Sequence, residues 1–151
     1  MGKYGYKSDL TTDEKVLIAI VRLSELYKKD CFSIFKNYGI TFAQYNVIRI
    51  LYASENGQNT ITRVSKVMMV SGANMTGTAK RLEKGGYLMR KRVPNDERIT
   101  LLEITPKGKQ TLKNISGGKD ELIEKYLMDY SEDEKHEILS SLKKCLKRGI
   151  S

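Results

Sequence analysis

Apolar residues recur at helical spacing over most of the chain, and one central stretch reads as extended instead. From Thr11 to Tyr38 the apolar positions Leu17, Ile20, Val21, Tyr27, Cys31, Ile34, Phe35 and Tyr38 predict a long helix with a wide buried stripe. Thr11 or Thr12 can cap it, Asp13 and Glu14 suit the positive end of its dipole, and Gly39 stops it. Thr41 and Gln44 form the sequence of a capping box for a second helix carrying Tyr45, Val47, Ile48, Leu51 and Tyr52. Ser54 to Asn59 is turn chemistry. A short third helix from about Thr62 to Met69 offers Val64, Val67 and Met68 to a core. Ser71 then caps a fourth helix, Gly72 to Lys84, whose inward face is Met75, Ala79 and Leu82 and which Gly85-Gly86 ends.

Leu88 to Val93 and Arg98 to Ile104 read as two strands around the turn Pro94-Asn95-Asp96-Glu97, a basic hairpin. Thr105-Pro106 starts a fifth helix, because Thr caps and Pro suits the first helical position. Gly117-Gly118 is expected to kink or loosen it. Ser131 and Glu134 open a sixth helix with an apolar stripe of Ile138, Leu142, Cys145 and Leu146. The pattern predicts a single, mainly α domain over 1–151 with about six helices and a small β-hairpin.

Charge changes this picture locally. The net charge is +9, and the segment from Thr60 to Gln110 holds 11 Lys or Arg against 4 Asp or Glu. A basic excess gathered in one third of the chain fits a polyanion, although a membrane surface or a plain solvated face fits charge alone equally well. No apolar run approaches the roughly 20 residues that span a bilayer. The N-terminus, Met1 to Asp9, lacks an apolar signal core, so a cytoplasmic protein is expected. Two distant cysteines make neither a disulfide framework nor a thiolate zinc site, and His136 is the only histidine. No metal, no cofactor and no catalytic cluster is expected.

The central helix–turn–helix and basic hairpin carry the candidate function. The major groove, about 12 Å wide, admits one helix, braced by the helix before it. The leading face Ser71, Gly72, Ala73, Asn74, Thr76, Gly77 and Thr78 is small or polar, with Lys80 and Arg81 behind it. Glycine inside a helix costs roughly 1 kcal/mol relative to alanine, so Gly77 suggests close approach to DNA or to another helix. Arg90, Lys91, Arg92 and Arg98 come together if the strands pair, with Asp96 either a turn residue or a bidentate brace for an arginine.

From Thr41 to Leu112 these residues resemble the MarR family of bacterial transcriptional regulators. The motifs are Ile40-Thr41-Phe42-Ala43-Gln44-Tyr45, Val70-Ser71-Gly72-Ala73-Asn74-Met75-Thr76, Lys80 to Leu88, Arg90, Asn95-Asp96-Glu97-Arg98, and Leu102 to Gly108. The resemblance implies a winged helix-turn-helix at 41–105 and dimerisation through terminal helices in 1–38 and 106–151. It implies a homodimer on a pseudo-palindromic operator, commonly as a repressor, with Arg98 in the minor groove and Asp96 supporting it. It also implies a small-molecule effector bound between the two regions. Lys80, where the family is often acidic, Glu97, where it is often basic, and Gly117-Gly118 depart from the pattern.

The residues offer Tyr27, Cys31, Tyr45 and Tyr52 as a ligand pocket, with ordinary core packing as the competing reading. Cys31 does not match the family's redox cysteine near the start of the first helix, and it lies on the apolar stripe. A sequence-specific regulator, a non-specific architectural DNA binder and a protein-interaction module all remain open, and an enzyme has the least support.

Overall fold

The computed structural model describes residues 8–150. Residues 1–7 and 151 lie outside the described residues, and with them most of the polar N-terminus and the outer ends of segments 1–38 and 106–151.

Helix α1 spans Thr12–Phe35, with Thr11 and Glu14 closing a reciprocal capping box at 3.2 and 2.8 Å. A 3₁₀ turn, Lys36–Tyr38, replaces the last α-helical turn expected there, and Gly39 takes φ 70. Helix α2, Phe42–Ala53, starts on the Thr41–Gln44 capping box, at 3.0 and 3.1 Å. Helix α3 is Ile61–Met68, capped by Thr60, one residue earlier than the pattern suggested. Helix α4 is Gly72–Lys84, capped by Ser71. Helix α5 is Pro106–Leu127 and helix α6 is Glu132–Ile150.

The hairpin is part of a three-stranded antiparallel sheet. Strands β2, Leu88–Val93, and β3, Asp96–Ile104, pair from Leu88↔Ile104 outward, with a register shift between Arg92 and Val93. Strand β1, Gln58–Thr60, adds to the other side of β3, giving the order β1-β3-β2. The sequence reading placed Gln58 and Asn59 in a turn. These polar residues become a strand because β3 presents a free edge, not because of any apolar alternation of their own.

The core lies beneath the helix–turn–helix. Met75, Ala79 and Leu82 of α4, Val64 of α3, Val47, Ile48 and Leu51 of α2, and Leu88 and Leu102 of the sheet are all buried. Burying one such Leu or Met side chain contributes roughly 1.5–3 kcal/mol. Three apolar expectations are corrected. Val67 is exposed rather than in the core, because Val64 takes the inward position of the short α3. Leu17 and Val21 are exposed, the latter at 58%, because no element among the described residues covers the first half of α1.

Gly117-Gly118 does not interrupt α5, which runs unbroken from Pro106 to Leu127. A Cβ built on Gly118 would sit 3.9 Å from Ile34 of α1, an ordinary contact, and one on Gly117 would meet nothing within 4 Å. Helix α6 opens on the Ser131–Glu134 capping box but buries none of its residues.

Candidate nucleic-acid interface

The leading end of α4 is built as the sequence implies. Ser71 accepts the Asn74 N–H at 3.2 Å, which satisfies one orphan donor of the first turn. Ser71, Gly72, Ala73 and Asn74 are exposed together, and no Cβ-sized obstacle lies within 4 Å of Gly72. Lys80 and Arg81 are exposed further along the helix. Thr76 is half-buried, and its hydroxyl donates to the Gly72 carbonyl at 2.9 Å.

Thr78 corrects the expectation of an outward residue. It is only 9% exposed, and its hydroxyl donates to the Asn74 carbonyl at 3.0 Å. Arg81 folds back toward it, with Nη2 at 3.5 Å from Oγ1. The Arg81 guanidinium also lies 3.5 Å from where a Gly77 Cβ would be. That distance is an ordinary contact, so Arg81 packing does not by itself require glycine at 77.

The root of the wing explains why two separate motifs occur together. Gly85 and Gly86 form the joint between α4 and β2, and Gly86 takes φ +82. The Thr105 hydroxyl donates to the Gly86 carbonyl at 2.6 Å while accepting the Gly108 N–H at 3.2 Å. Lys107 Nζ donates to the Gly85 carbonyl at 2.5 Å and lies 4.6 Å from the Tyr87 ring centroid. A Cβ on Gly108 would fall 2.4 Å from the Tyr87 carbonyl oxygen. The glycine pair and Thr105-Pro106-Lys107-Gly108 are thus two halves of one contact.

Along the wing, Arg90 and Arg92 share the face of β2 that carries Leu88, and Lys91 points the other way. Lys91 pairs with Glu103, which also accepts from Gln58 Nε2 at 3.0 Å. Hydrogen bonding from Lys91 holds the Glu103 carboxyl below its ordinary range. Arg90, expected among the DNA contacts, is engaged by Glu83 of α4. Its Nε donates to Oε1 at 3.0 Å, its Nη2 lies 3.0 Å from the same oxygen, and its backbone N–H donates to Oε2 at 3.1 Å. These bonds lower the Glu83 pKa. The sequence reading missed Glu83, although its position at the end of α4, seven residues before Arg90 across a tight joint, was a usable signal.

At the tip, Asn95 takes φ 71. Asp96 Oδ1 accepts the Arg98 N–H at 3.1 Å and lies 3.5 Å from Arg98 Nε. One carboxylate oxygen serves both contacts, so the expected bidentate brace is a single-oxygen one. The Arg98 side chain is 94% exposed and projects from the wing. Arg92 is exposed beside it.

The four ligand candidates divide. Tyr27, Cys31 and Tyr45 gather between α1, α2 and α5. Phe35 stacks on Tyr45 with centroids 4.4 Å apart, and Tyr27 meets Phe42 and Tyr126 edge-on at 6.2 and 5.9 Å. Lys119 Nζ donates to Tyr45 Oη at 2.8 Å, and Tyr126 Oη donates to Asp30 at 2.6 Å. Burial and its bond to Cys31 push the Tyr27 phenol up to about 12. Burial also raises the pKa of the Cys31 thiol, against the lowering effect of its bond to Tyr27. Tyr52 stands apart at 55% exposure, beneath the Arg49 guanidinium at 5.6 Å. Among the described residues no group of His, Cys, Asp or Glu could hold a metal ion. No helix among them is long and apolar enough to cross a membrane.

Comparison with known proteins gives this geometry a context. Residues 26–115 match the family model described as "Transcriptional regulator SarA/Rot". The transcriptional regulator BilQ of Clostridioides difficile is 31% identical over 132 residues, 85% of this chain and 86% of its own length. SarZ of Staphylococcus haemolyticus, also a transcriptional regulator, is 30% identical over 141 residues, 91% of this chain and 90% of its own. In fold, the chain is similar to Sco3205, a MarR family transcriptional regulator from Streptomyces coelicolor solved in complex with DNA. That match has a TM-score of 0.81 at 19% identity and covers 95% of this chain and 91% of the other.

Proposed function

The chain belongs to the SarA/Rot family of transcriptional regulators and has the winged-helix fold of MarR regulators; from that premise we propose that it is a sequence-specific DNA-binding repressor acting as a homodimer on a pseudo-palindromic operator. One observation carries the reading. The exposed, small-residue start of α4 and the exposed Arg98 of the wing flank a joint that bonds from both sides hold in place. A helix with no bulky side chain at its leading end can seat its backbone close to a groove, and its unpaired first-turn N–H groups favour phosphate. Ser71, Gly72, Ala73, Asn74 and Lys80 meet the major groove, and Arg98, steadied by Asp96, enters the adjacent minor groove with Arg92 near the backbone.

The terminal helices supply the second copy. Val21 and Leu26 of α1 and Leu142 and Leu146 of α6 are exposed within one chain and suit burial against a partner. A small effector modulates the spacing of the two α4 helices from the cluster of Tyr27, Cys31 and Tyr45, which joins dimerisation helices α1 and α5 to α2.

Selection of the full chain against random duplexes tests the reading, and one enriched inverted repeat is the expected outcome. Arg98→Ala should then weaken binding and flatten the salt dependence by about one unit. Equal affinity for every duplex would favour a non-specific architectural binder and reject the specific one.

A further inference from the structure

Two cations that the sequence groups together on the wing have different surroundings. Arg98 projects from the tip with 94% of its side chain exposed and touches Asp96 only through Nε at 3.5 Å, and Arg90, at 32%, is bound to Glu83. Strand β2 is an edge of the sheet, so the Arg90 N–H that faces away from β3 has no strand partner. Glu83 fills that place with one oxygen and takes the guanidinium with the other. A bond to the backbone fixes where the strand starts, and one to the guanidinium fork fixes its direction.

The pair spans the Gly85-Gly86 joint, whose N–H groups return to the end of α4, Gly85 to the Arg81 carbonyl at 3.0 Å and Gly86 to the Glu83 carbonyl at 2.9 Å; these bonds end the helix, and the Glu83 side chain carries the hold on into β2. On the opposite side Lys107 and Thr105 hold the two glycine carbonyls. The joint is therefore clamped between α4 and the start of α5.

We propose that Glu83 and Arg90 are positioning residues for DNA reading: they set the pitch of the wing against α4 and do not themselves touch DNA. The inference rests on the DNA-reading role proposed above. Helix and wing must reach two grooves at once, so a wing held at one pitch binds without first losing conformational freedom. A duplex whose grooves match that pitch gains from the clamp, and a mismatched one does not. The pair thereby contributes to discrimination, while Arg92 and Arg98 contribute charge.

The experiment compares Glu83→Gln, Arg90→Gln, Arg90→Lys and the Gln–Gln double variant of the full chain. Affinity for the selected duplex and for a scrambled one is measured across a salt series. We expect each single variant to narrow the selected-to-scrambled ratio about tenfold, the scale of one charge-assisted hydrogen bond. The double variant should be no worse than either single, and the salt slope should not change. Arg90→Lys should behave like Arg90→Gln, because an ammonium keeps the charge but loses the fork. A salt slope flattened by about one unit in Arg90→Gln and restored in Arg90→Lys would make Arg90 a DNA contact and overturn the proposal. An unchanged ratio in Glu83→Gln would overturn it too.

A second measurement stands without DNA. Spin labels on Ala73→Cys and Glu97→Cys, in a chain with Cys145→Ser and diluted with unlabelled chain, report the helix-to-wing distance. Glu83→Gln should widen that distribution, and an unchanged width would contradict the clamp. A wild-type chain that prefers no duplex would reject the DNA-reading role and leave this distance test intact.

Discussion

The winged helix and the terminal helices are built on opposite terms. Between Thr41 and Gly108 the caps, glycines and ion pairs meet their counterparts within the chain. Ser71 serves Asn74, Glu83 serves Arg90, Glu103 serves Lys91, and Thr105 serves Gly86. The first half of α1 and the whole of α6 show well-formed helix starts but apolar faces that no part of the described chain covers. The first region is closed by contacts within the chain, and the second has locally specified helix starts but apolar faces left open. A region of the second kind needs a partner surface, because most helical stability comes from packing an apolar face.

The strongest way to break the first half of this contrast is Gly108→Ala. The added methyl group would meet the Tyr87 carbonyl oxygen, a backbone atom that cannot rotate away. The expected loss is about 3 kcal/mol by urea unfolding, the upper end of ordinary overpacking. A loss under a few tenths would show that the wing root is not closely packed.

A smaller effect separates the regions by pH. Lys91 and Arg90 hold the carboxyls of Glu103 and Glu83 below their ordinary values. A depressed folded-state pKa contributes stability that is complete above the unfolded value and is lost as pH falls through the folded one. The wing should therefore loosen first in mild acid, seen as faster amide exchange in β2 and β3. Both carboxylates are solvent-accessible, so screening keeps the change small. In Glu83→Gln that part of the acid response should disappear at Arg90.

The same contrast explains what was legible in the sequence. Caps are local, so Thr41–Gln44, Ser71, Thr105-Pro106 and Ser131–Glu134 each open a helix as the pattern implies. The face of α4 was legible at Met75, Ala79 and Leu82, but not at Thr78, whose hydroxyl turns back onto its own helix. Strand β1 was hidden because pairing with a distant edge, not composition, makes it a strand. Gly117-Gly118 looked like a weakness on propensity alone, yet α5 stays intact beside Ile34. In the candidate site the basic residues were legible as a group, but their division was not. Which arginine is held against the helix and which projects to solvent depends on where Glu83 and Asp96 fall in space.

Sedimentation equilibrium of the full chain, beside Leu142→Asp, tests most directly the claim that the ends await a second copy. Wild type should sediment at twice 17.2 kDa at micromolar concentration. Leu142→Asp, a charge placed on the exposed apolar face of α6, should weaken association by about 2–4 kcal/mol. Its amide exchange in α2 to α4 should stay as in wild type. A wild-type chain at 17.2 kDa across that range would contradict the account.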